Sequence, residues 1–144
     1  MDFDLDSLDT KTPSENGVDM PVKDLAGVQM TDKHGKPVSI RLKGPDSDTY
    51  RRLTRAQVRK RFERSAGGEK LDADAEAEQN ENDAIDIMAA CTVSWSGIND
   101  KAGAAIPCTP KSAVELYKRY PTIRDQVDMF VSARANFSPV SSKR

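Results

Sequence analysis

Apolar residues return every third or fourth position in two late stretches of the chain. The first is Ala113, Leu116, Tyr117 and Tyr120, and the second is Ile123, Val127, Phe130 and Val131. Each series fits one face of a helix. Thr109 suits an N-cap with Pro110 at the first helical position, where a missing N–H costs nothing. Pro121 restricts the residue before it, so one helix ends near Tyr120 and the next begins there. Upstream, Ile85, Met88, Ala89 and Thr92 form another helical stripe leading to Trp95, the only tryptophan. These helices are expected to fold back on Trp95. A different period marks Val28-Gln29-Met30-Thr31 and Val38-Ser39-Ile40-Arg41-Leu42, which alternate about the turn Asp32-Lys33-His34-Gly35-Lys36. That is a β-hairpin over 28–42, with Val38, Ile40 and Leu42 on one face. Two strands alone are marginal in water, so the hairpin must lean on helices or pair with another strand.

Between hairpin and tryptophan the pattern thins and charge takes over. Gly44-Pro45-Asp46-Ser47-Asp48 stops the strand and caps a helix whose sparse apolar side is Tyr50, Leu53, Val58 and Phe62. The same helix carries a basic patch of Arg51, Arg52, Arg55, Arg59, Lys60, Arg61 and Arg64. After Gly67-Gly68 the composition reverses through Glu69, Asp72, Asp74, Glu76, Glu78, Glu81, Asp83 and Asp86. The two blocks predict an antiparallel helical hairpin with opposed charges, in one chain or between copies. Exposed ion pairs contribute only about 0–1 kcal/mol each, so charge would select the pairing more than hold it.

The expected architecture is mainly α with a small N-terminal β-hairpin (α+β), short helices packed around Trp95, and disordered termini. Residues 1–21, acidic and punctuated by Phe3, Leu5 and Leu8, read as a solvated tail, residues 22–137 as a single domain, and residues 138–144 as a second disordered tail. A chain of 144 residues, with 37% hydrophobic and 31% charged residues and a net charge of -1, supports one modest core.

No apolar run approaches the roughly 20 residues that span a bilayer, and the acidic N-terminus lacks a signal core, so folding in a cytosol is expected. Cys91 and Cys108 make neither a zinc set nor a disulfide framework and read as small buried residues. The lone His34 sits in a turn. No phosphate loop, dinucleotide fingerprint or nucleophile elbow occurs, no cofactor or metal is implied, and the carboxylates lack apolar surroundings that would raise a pKa. The expectation is a protein that is not an enzyme. The basic patch is dense enough to contact phosphates, but Tyr50 and Phe62 do not form a stacking platform and the acidic block would repel nucleic acid.

The order of these features resembles the tail assembly chaperones of long-tailed bacteriophages over residues 25–138. The resemblance is carried by Leu42-Lys43-Gly44-Pro45-Asp46-Ser47 with the following Tyr50-Arg51-Arg52, by Trp95 and Ile106-Pro107-Cys108-Thr109-Pro110, by Tyr120-Pro121-Thr122-Ile123-Arg124-Asp125-Gln126-Val127, and by Ala135-Asn136-Phe137. Ser94 stands where such proteins have glycine. Membership would imply an assembly factor in the host cytoplasm that binds and solubilises the tape measure protein and recruits major tail subunits; self-association is a separate expectation, from the opposed charge blocks. A structural minor tail component of the virion is the alternative. Leu116, Tyr117, Ile123, Val127 and Phe130 are the candidate partner-binding residues, at anchor spacing for a helical client. The same five residues also suit this chain's own core.

Overall fold

The computed structural model describes residues 4–68 and 70–139. It is a mainly α protein with one small antiparallel sheet. Strands β1 (Val18–Pro21), β2 (Ser39–Leu42) and β3 (Thr92–Ser96) lie in the order β1-β2-β3. Five helices accompany them among the described residues: α1 (Lys11–Asn16), α2 (Asp48–Ala66), α3 (Ala73–Cys91), α4 (Pro110–Arg119) and α5 (Pro121–Ser132). Short 3-10 turns run over Leu5–Leu8 and Arg134–Phe137.

The sheet is one-sided. Val18, Met20, Val38, Ile40 and Leu42 alternate inward and are buried, while Asp19 and Arg41 pair across the outer face at 3.3 Å. Thr92 and Trp95 both turn inward although they stand three positions apart, a spacing that strict alternation forbids. The register shift opposite Arg41/Leu42 resolves this, because it inserts an extra residue into β3 at Val93-Ser94. Helices α3, α4 and α5 close over the inner face and meet one another in the same core. At its centre stands Tyr117, fully buried, with its hydroxyl 2.6 Å from Thr92 Oγ1. Burial pushes that phenol's pKa above the ordinary range.

The helical punctuation follows its chemistry. Thr109 caps α4 by accepting from Ser112 N, and Ser112 Oγ accepts from Thr109 N, so two orphan donors are satisfied reciprocally. Ser47 caps α2 and Asp72 caps α3. The chain breaks between α4 and α5 at Tyr120-Pro121, and Ile85, Met88 and Ala89 form the buried stripe of α3.

Several expectations are corrected. The neighbour of β2 is Val18–Pro21 and not residues 28–31, which make only isolated bridges. Val28 is exposed because two tight turns on either side of it leave no length for a paired strand. Consequently residues 10–21 are not a solvated tail: Pro13, Ser14, Val18 and Met20 are buried, and only Asp4–Leu8 remains wholly exposed. Residues 1–3, Glu69 and 140–144 lie outside the described residues, whereas Ser138 and Pro139 are half-buried. Trp95 lies in a strand at the margin of the core and is half-buried. The helices α4 and α5 are short, 10 and 12 residues, whereas α2 and α3 are each 19 residues long. On α2 the buried residue is Gln57, whose amide donates to Asp83 O at 2.9 Å, while Val58 and Phe62 face outward.

The ends of the chain are tied to one loop. Asp46, between β2 and α2, accepts Thr10 Oγ1 at 2.6 Å and a two-pronged Arg134 guanidinium at 2.8 and 2.9 Å. Gly44 N donates to Ser14 O, and the Phe137 ring packs directly over Gly44.

Candidate functional site

A five-residue sequence pattern recurs at Asp24-Leu25-Ala26-Gly27-Val28, Asp32-Lys33-His34-Gly35-Lys36 and Asp100-Lys101-Ala102-Gly103-Ala104. All three segments fold identically. Asp Oδ1 accepts from the amides two and four residues on, the glycine amide returns to the Asp carbonyl, and the Asp amide pairs with the fifth carbonyl. The glycines take φ of 80°, 80° and 87°, a left-handed conformation that the fourth position of this turn demands. Donation from two backbone amides holds Asp32 below the usual carboxylate pKa. The turns at Asp24 and Asp100 carry the same pattern outside the region where alternation suggested a hairpin.

Strand register places these turns together. Pro21 and Ser96 both align with Ser39, so the last residues of β1 and β3 and the first of β2 lie at one end of the sheet. All three turns project from that end. Between them and the α4–α5 break opens a groove of about 420 Å³. Its apolar lining is Val22, Val38, Ile98, Ile106, Leu116 and Ile123, with Met30 also on the wall. Its rim is polar, formed by Asn99, Asp100, Lys101, Arg119 and Tyr120, and the Arg119 guanidinium sits 5.8 Å from the Tyr120 ring centre.

The segments that carry the resemblance build this groove more than they occupy it. Trp95 Nε1 donates to Ile106 O at 2.7 Å, which fixes the return leg of the Asp100 turn and with it the Ile106 side of the wall. Gln126 accepts from Lys23 N and donates to Lys23 O, both at 2.9 Å, clamping the Asp24 turn to α5. Arg124 reaches across to Glu81 of α3. Val127 is wholly buried, and of this stretch Ile123 lies on the apolar wall of the groove and Tyr120 on its rim.

The five candidate partner residues therefore separate. Leu116 and Ile123 line the groove, with Leu116 mostly covered. Tyr117 and Val127 have no exposed surface, so as partner contacts they are corrected: their side chains are the core itself. Phe130 lies elsewhere, half-buried beside β1 and edge-on to Phe137 with ring centres 5.5 Å apart. Groove residues that periodicity passed over, Val22, Ile98 and Ile106, adjoin the Asp-x-x-Gly turns, and that pattern is the signal that would have found them.

The basic patch is a second surface. Arg51, Arg52, Arg55, Arg59, Lys60 and Arg61 are exposed and Arg64 is half-buried along α2. Helices α2 and α3 do pack as a hairpin, but among the described residues only Arg61–Asp83, at 3.9 Å, pairs charges across it. Both cysteines are free, Cys91 fully buried and Cys108 half-buried, and burial pushes the Cys91 thiol up to about 12. No helix among the described residues is long and apolar enough to cross a membrane. No family model, curated protein or solved structure matches the chain.

Proposed function

We propose that the protein is a non-enzymatic tail assembly chaperone, which holds the long helical tape measure protein soluble and brings major tail subunits to it in the host cytoplasm. The observation that supports this reading is the apolar groove at the turn-bearing end of the sheet. Leu116 and Ile123 come from two helices separated by a proline break, so their walls diverge and leave an opening. Helix-in-groove recognition uses such a cleft to take anchors three or four residues apart on an amphipathic client. The rim of Asp100, Lys101 and Arg119 keeps the cleft hydrated when empty, which suits a client that must later be surrendered.

The experiment is coexpression of the chain with a long helical tape measure protein. Client solubility and coelution on sizing are the readouts. Wild type should yield a soluble complex, and Ile123→Asp, placed on the groove wall, should lose it while retaining a native circular dichroism spectrum. Equal client solubility with and without the chain would overturn the reading. A soluble complex unaffected by Ile123→Asp would move the client off this groove.

A further inference from the structure

The distal part of the α2–α3 hairpin has no core of its own. Between Gln57 on α2 and Ile85 on α3, no described residue is buried. The outward face of α2 nevertheless carries apolar surface, with Val58 61% and Phe62 74% exposed. Helical spacing sets Arg51, Arg55 and Arg59 on the same outward face, one turn apart. Like charges at that spacing repel, and none of these three has an ion-pair partner among the described residues. Helix α3 mirrors the arrangement. It carries six acidic residues and no basic one, and Asp74 and Glu78 stand one turn apart on a face away from α2, exposed and without an ion-pair partner among the described residues.

We propose that the chain self-associates head to tail through this arm, the cationic outer face of α2 in one copy seating on the acidic outer face of α3 in the next. The partner is a second copy because the chain presents both halves of the contact at one pitch. Arg55 and Arg59 stand four positions apart, and so do Asp74 and Glu78. Seating one face on the other relieves both repulsions and covers Phe62 and Val58, which nothing within a single copy covers. A polyanion would satisfy the arginines but would meet the acidic helix of the same arm. Because the two contacting faces differ, each added copy leaves one of each kind free, and the contact propagates as a row or closes as a ring. The inference stands on the arm alone and does not require the chaperone reading.

The test is sedimentation velocity of the full chain across protein concentration at low and at molar salt. Wild type is expected to sediment as assemblies of at least about twice the single-chain mass at low salt and to dissociate at high salt, where screening removes exposed pairing. Two variants alter exposed positions only: Arg55→Glu with Arg59→Glu, and Asp74→Lys with Glu78→Lys. Each alone should sediment as a single chain with an unchanged circular dichroism spectrum. Mixed, the two should assemble again, because each now offers what the other lacks. Phe62→Ser should weaken assembly without changing its salt dependence. A wild type that remains a single chain at low salt and high concentration overturns the proposal. So does a single-chain wild type that retains a single-stranded oligonucleotide, which would assign α2 to nucleic acid, and so does assembly of either variant alone to the wild-type extent.

Discussion

Replacing Gly44 with alanine tests how tightly the ends of the chain are seated. The backbone at Gly44 is not left-handed, so alanine meets no conformational objection there. The objection is space: an added Cβ would lie 2.5 Å from Ser14 Oγ and 2.6 and 2.7 Å from two carbons of the Phe137 ring. Neither neighbour can retreat, since Ser14 and Phe137 are both 0% exposed. Overpacking of this kind costs about 1–3 kcal/mol, and three simultaneous overlaps against a buried ring argue for about 3. Loss of glycine's freedom in the unfolded chain returns about 0.4–1 kcal/mol, leaving a net cost of about 2 kcal/mol. For a domain of this size that is a fall in Tm of roughly 6–8 °C. Thermal denaturation of Gly44→Ala, Phe137→Leu and the double variant is the assay. Removing the ring should recover part of the Gly44→Ala loss, giving a coupling of about 1 kcal/mol. A Gly44→Ala protein melting within a degree of wild type, or strict additivity in the double variant, would refute the packing account.

Asp46 is held below its usual pKa by the Arg134 guanidinium first and the Thr10 hydroxyl second, so its contribution is complete above the ordinary carboxylate value, near pH 4, and fades as pH falls through the lowered folded-state value. Because Arg134 is largely exposed, Asp46→Asn should cost only about 1–2 kcal/mol at neutral pH, and its stability should decline less than that of wild type on acid titration. A thiol reagent should label Cys108 quickly and Cys91 only on unfolding, because the latter is buried with a thiol pushed up to about 12; equal labelling rates would contradict this burial. Trp95→Phe should keep the ring contact but lose the bond to Ile106 O, costing about 1–2 kcal/mol; a faster exchange of the Ile106 amide, which pairs with Ile98 O, is the local readout.

The helices and their ends were legible in the sequence because proline, threonine and a three-to-four spacing act within one turn. The strand that holds Trp95 is not legible, for the opposite reason. It exists only by pairing with β2 across about fifty residues of intervening chain, and the bulge at Val93-Ser94 hides the period that would have announced it. The N-terminal strand failed likewise: Val18 and Met20 are too few to stand out of an acidic stretch, and their burial depends on Ile40 and Leu42 opposite. On α2, Val58 and Phe62 read as a core face until Gln57 proved to be the buried residue, its amide satisfied by a carbonyl of α3. Of the candidate site, Leu116 and Ile123 could be found by spacing. Whether a helical apolar residue faces the core, as Tyr117 does, or a cleft is decided by neighbours on other elements.

The junction at Gly44 has a consequence for synthesis. Its wall is closed by Phe137 and its polar clasp by Arg134, both synthesised well after the Ser14 and Thr10 they meet. While the polypeptide is still emerging from the ribosome, the early segment can pair Val18–Pro21 with β2, but Ser14 has no lid and Asp46 has one partner instead of two. Closure of this junction therefore waits until Arg134–Phe137 has cleared the exit tunnel.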